Sequence, residues 1–66
     1  MAAVTEGVAH QVTVALGTTD EIFDGCYVEI NFDRGVVNVF EYEGDVQGRN
    51  IATAPLARTL IRWVEE

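Results

Sequence analysis

The sequence has no lysine, one cysteine, one proline, one histidine and one tryptophan among its 66 residues. Each shortage excludes something. Cys26 has no second cysteine to bridge to, so no internal disulfide staples the chain, and no Cys/His cluster has zinc-ligand spacing. Gly44 to Gly48 lacks both the lysine of a phosphate-cradling loop and the glycine spacing of a dinucleotide site. No stretch approaches the roughly 20 apolar residues that a membrane span requires. Met1-Ala-Ala-Val-Thr-Glu has neither a basic start nor a long apolar run, so no signal peptide is expected. A lone cysteine without an export signal predicts a cytoplasmic location.

What the chain has in excess is negative charge. Eleven carboxylates face four arginines, for a formal net charge of −7. Nucleic acid and anionic lipid both repel such a surface, so neither is an expected direct partner. The apolar content of 48% and mean hydropathy of +0.12 are too high for a disordered acidic chain, so a folded domain is expected. A chain this short forms one small domain, over residues 1–66, and buries only about 60% of its unfolded surface. Domains of this size usually gain stability from a disulfide, a metal or self-association. With the first two missing from the pattern, a homodimer is expected.

Alternation places the strands. Val8, His10, Val12, Val14 and Leu16 alternate with smaller or more polar residues, which predicts a half-buried strand with this set facing the core. Gly17 to Gly25 reads as a loop, with one helical turn over Asp20 to Phe23 behind the capping pattern Thr18–Glu21. Cys26, Val28, Ile30 and Phe32 define the inward face of a second strand. Val36 to Glu43 forms a third. A three-residue turn at Asp33-Arg34-Gly35 pairs Phe32 with Val36 and turns Phe40 and Tyr42 inward. A two-residue turn at Arg34-Gly35 instead turns Val37 and Val39 inward, because a one-residue slip exchanges the faces of a strand. The three-residue turn is preferred because it buries both aromatics together.

Gly44 to Thr53 is polar and reads as a loop. Pro55 then suits the first turn of a helix. Leu56, Leu60, Ile61, Trp63 and Val64 form an apolar stripe at helical spacing, with Arg58, Thr59, Arg62 and Glu65 facing away. The expected fold is therefore α+β: a three-stranded antiparallel meander, β-β-β-α, with one C-terminal helix on one face.

No constellation of residues specifies chemistry. His10 has no nucleophile or second imidazole near it in sequence, and reads as an ordinary strand residue. No cation adjoins Cys26 to lower its pKa, so it reads as a small buried apolar group. The acids at Asp20, Glu21 and Asp24, and at Glu41, Glu43 and Asp45, do not match the spacing of a calcium loop. The expectation is a protein that is not an enzyme and has no metal or cofactor. Arg58 and Arg62 read as solvated or paired surface charges.

If the helix covers one sheet face, the other shows Tyr27, Val37 and Val39 as an apolar patch rimmed by Glu29, Glu41 and Glu43. These six residues are the expected partner-binding site. Patches of this kind on small domains mark interaction surfaces. The acidic rim selects a basic protein as partner, including one that itself binds nucleic acid. In size and charge the chain is similar to phage- or mobile-element-encoded inhibitors and nucleic-acid mimics, which implies docking on, and blocking of, a basic groove.

Overall fold

Strands turn out to take up nearly all of the described chain. The computed structural model describes residues 4–64 and has five strands, β1 Val4–Ala15, β2 Asp20–Asn31, β3 Val36–Glu43, β4 Val46–Pro55 and β5 Thr59–Trp63. They form one antiparallel sheet in the order β4-β3-β2-β1-β5. The expected α+β fold is overturned: the helical content of the described residues is one 3₁₀ turn, Leu56–Arg58. Glu65, expected on the outer side of the helix, lies outside the described residues.

The C-terminal segment becomes a strand because a better partner exists for it. Three helical turns are marginal alone, and Thr59, Ile61 and Trp63 are β-branched or aromatic residues that favour strands. The free edge of β1 accepts them, pairing Val14 with Thr59, Thr13 with Leu60, Val12 with Ile61 and Gln11 with Arg62. The 3₁₀ turn makes the corner. The Thr59 hydroxyl donates to the Pro55 carbonyl (2.8 Å), and the Leu56 N–H donates to the Gly35 carbonyl (2.8 Å), tying the corner to the β2–β3 loop.

The expected loop at Gly17 to Gly25 is mostly strand. The turn is confined to Leu16–Thr19, closed by the Leu16 N–H on the Thr19 carbonyl (2.9 Å), and β2 begins at Asp20. The expected loop at Gly44 to Thr53 is β4, reached by a two-residue turn. Gly44 (φ 59°) and Asp45 (φ 64°) both take the left-handed region that a type I′ hairpin needs. β4 reads as polar because it is an exposed edge whose pairing slips twice, on either side of Phe40. Asn50 serves one slip, its amide donating to the carbonyls of Val39 (3.2 Å) and Ala52 (3.0 Å). At the other, Gly48 lies so close to Glu41 that a side chain's first carbon would stand 2.9 Å from the Glu41 Cβ.

The first strand's inward set also differs. Ala9, Val12 and Val14 are buried, whereas His10 is exposed, Val8 is half-buried on the other face and Leu16 is 55% exposed. The period breaks at His10. On β2 it breaks at Gly25 (φ 56°), between the inward Phe23 and Cys26. Pairing runs from Ala9–Cys26 to Gln11–Asp24, so each strand spends one extra residue at the same level and both exchange faces together.

The register of β2 with β3 settles the facing of the third strand. Asn31 pairs with Val36, Ile30 with Val37 and Val28 with Val39 across a four-residue loop, Phe32 to Gly35. The Asn31 side chain caps that loop by accepting from the Arg34 N–H (3.1 Å), and Gly35 takes φ 67°. Val37 and Val39 are thus inside and fully buried, while Phe40 and Tyr42 lie outside, half-buried. Phe32, expected inward, is 49% exposed in the loop.

With no helix to cover it, the sheet curls over its own inner face. Val12, Cys26, Val28, Val37 and Val39 are its most deeply buried large side chains, with Phe23, Ala52, Leu56 and Ile61 packed against them. Val14 and Phe23 share one cleft with Ala52 and Ala54, which brings the inner faces of β1 and β4 together. At the other end the Trp63 ring lies over Gly7, 3.4 Å from where a Cβ would stand. Removing a valine from water stabilises by roughly 1.5–3 kcal/mol. Val39→Ala is therefore expected to lower the unfolding free energy by about 2 kcal/mol with an unchanged denaturant slope, measured by urea titration.

Candidate functional site

Three aromatic side chains meet on the outer face of β1, β2 and β3. Tyr27 pairs with Val8 on one side and Phe40 on the other, and Tyr42 follows two residues along β3. The Tyr27 and Tyr42 rings stack with centroids 6.1 Å apart and planes 28° apart, and Phe40 meets Tyr27 edge-on at 6.5 Å and 67°. Val8, Tyr42, Asp45 and Val64 line an open recess beside them, and the Val64 N–H donates to the Val8 carbonyl (3.1 Å). The next level along β1 and β2 sets Glu6 directly opposite Glu29, with Asn38 beyond it on β3.

The expected site is thereby divided. Tyr27 and Glu29 stay together on the outer face. Val37 and Val39 belong to the core, so they cannot form the oily centre of a docking surface. Glu41 lies at an exposed end of the sheet, where its carboxylate accepts from Arg49 Nε (3.1 Å), the sole ion pair among the described residues. Glu43 is exposed at the β3–β4 turn, opposite Val46. The residues missed are Val8, Phe40, Tyr42, Glu6 and Asp45. The signal for the aromatics lay in the facing of β3, whose Phe40 and Tyr42 share a face with Tyr27 of β2 only if two adjacent valines are split so that Val37 goes inward.

Two carboxylates directly opposite each other across a strand pair repel, and aromatic faces attract cations through their quadrupole. Here both features adjoin. The phenols register the negative field. Tyr27 is pushed above the ordinary value by burial, then by the Glu6 and Glu29 carboxylates. Tyr42 is pushed up by burial, then by Asp45, whose Oδ1 accepts from the Tyr42 hydroxyl (3.2 Å), and by Tyr27. The folded protein holds both protons more tightly than the unfolded chain does. Their contribution to stability is present below the ordinary tyrosine pKa and is lost as pH rises through the raised folded values.

His10, exposed at the break in β1, lines an open recess with Ile61, Arg62 and Trp63. Cys26 is 1% exposed, and its thiol is pushed up by burial and then by Asp24. Among the described residues, no three His, Cys, Asp or Glu side chains are grouped to hold a metal ion, and no helix is long and apolar enough to cross a membrane. No family model, curated protein or solved structure matches the chain.

Two outcomes are expected. Phenolate absorbance followed against pH has both tyrosines ionising above 10.0, and Glu6→Gln brings the Tyr27 midpoint down. Alkylation of Cys26 at neutral pH is expected to be slow, proceeding only through opening of the fold, and to become fast in denaturant.

Proposed function

We propose that the chain is a non-catalytic protein-binding module whose acidic, aromatic outer face docks on a basic surface of a partner protein and blocks it. The observation that carries this reading is the opposition of Glu6 and Glu29 beside the Tyr27–Tyr42 stack. Bringing up an arginine relieves the carboxylate repulsion, and its planar guanidinium can lie on the ring faces while its N–H groups donate to the carboxylates. The net charge of −7 speeds encounter with a basic surface and opposes encounter with nucleic acid itself. Proteins that bind nucleic acid present such surfaces, and they are the partner class favoured by this reading. A cytoplasmic location goes with it, since Cys26 is held as a buried free thiol.

The test is a titration of the chain with a short arginine-rich peptide, followed through backbone amide shifts. Shifts are expected on Val8, Tyr27, Glu29, Phe40 and Tyr42, with affinity falling as salt rises. Glu6→Gln with Glu29→Gln is expected to weaken binding about tenfold while stabilising the fold by about 0.2–1 kcal/mol, because like charges no longer face each other. Binding that is insensitive to both the substitutions and salt defeats the reading.

A further inference from the structure

The break at His10 and Gly25 divides the outer face, and beyond it lies a second patch that the docking reading does not use. Three consecutive levels cross β2, β1 and β5 there. The first reads Asp24–Gln11–Arg62 and the second Ile22–Thr13–Leu60. The third sets Asp20 opposite Ala15, and a shallow recess joins both to Thr13, Leu60 and Arg58. Ile22 is 54% and Leu60 67% exposed, which is high for aliphatic side chains on a sheet face. The patch therefore has an acidic column on β2, an uncharged column on β1, and a basic column running from the 3₁₀ turn into β5. No described carboxylate lies within ion-pair distance of Arg58 or Arg62.

This arrangement is complementary to itself under one rotation. A two-fold axis in the plane of contact and parallel to β1 exchanges left and right while keeping each level at its own height. The mate's Arg62 then stands over Asp24, its Arg58 over Asp20 and its Leu60 over Ile22, and the reverse pairs form on the other flank. Only Gln11, Thr13 and Ala15 face their own copies on the axis, and none is charged. The perpendicular axis in the same plane sets acid on acid and is disfavoured. Packed sheets cross at about 30°, so the match is tightest at the Ile22–Thr13–Leu60 level.

We infer that the outer face of β2, β1 and β5 is a homodimer interface, with a second copy of this chain as its occupant. The inference is independent of the docking reading, which uses the other half of the outer face. A three-strand patch is small, so the dimer is a weak, concentration-dependent one. Its flanking ion pairs make it loosen as salt rises.

Sedimentation velocity over a range of concentrations at low and high salt tests this, with three variants. Arg58→Glu with Arg62→Glu makes both flanks acidic, and Asp20→Arg with Asp24→Arg makes both basic. Each is expected to be monomeric where the unaltered chain dimerises, and an equimolar mixture of the two is expected to recover the dimer. Leu60→Ser, at an exposed position, is expected to raise the dimer dissociation constant about tenfold with an unchanged circular dichroism spectrum. The inference is overturned if the unaltered chain stays monomeric at every concentration. Dimerisation of both charge variants alone, or of Leu60→Ser, with the affinity of the unaltered chain overturns it equally. So does a mixture of the two folded charge variants that fails to pair.

Discussion

A single β-sheet with no other described element laid over it must serve as its own cover, and the remaining structure follows from that constraint. Curling brings opposite strands close, so the space inside suits short branched side chains. Val12, Val28, Val37 and Val39 fill it, and the larger aromatics are displaced to the outer surface or to the ends. Gly7 makes room for Trp63 at one end, while Ala52 and Ala54 let β4 approach β1 at the other. The paired strands β1 and β2 exchange faces together at His10 and Gly25, and that exchange divides the outer surface into two regions of different character.

The outer surface explains how a chain with so few cations can be both strongly acidic and locally ordered in charge. On the β1–β2–β3 side the carboxylates gather around tyrosines. On the β5 side two of the four arginines stand in a column, separated from the β2 acids by the neutral width of β1. On the readings proposed above, the first region suits a basic partner and the second suits another copy of the chain.

Parts of this architecture were legible in the sequence. The alternation of Cys26, Val28 and Ile30 correctly gave the inward face of β2, and the limits of β3 at Val36 and Glu43 coincide with those expected. The facing of β3 was not legible, because Val36 and Val37 are both good inward residues and only the loop length chooses between them. Burying Phe40 with Tyr42 suits a sheet roofed by a helix; inside a curled sheet the space fits valine. β5 was concealed by an apolar pattern that satisfies both a helix and a strand, and the deciding factor was a free edge elsewhere in the chain. β4 was concealed because an edge strand with two slips need not alternate. Of the candidate site, Tyr27 and Glu29 were read correctly as outward neighbours, and the residues beside them were lost with the register.

The double slip in β4 has an effect on how copies of the chain can meet. A strand that changes step on both sides of its Phe40 partner and ends in Pro55 offers no straight row of N–H and C=O groups for another strand to extend. The opposite margin, β5, is only five residues long. Growth of cross-β fibrils by edge addition is hindered on both sides, and crowding the molecules together favours contact through sheet faces.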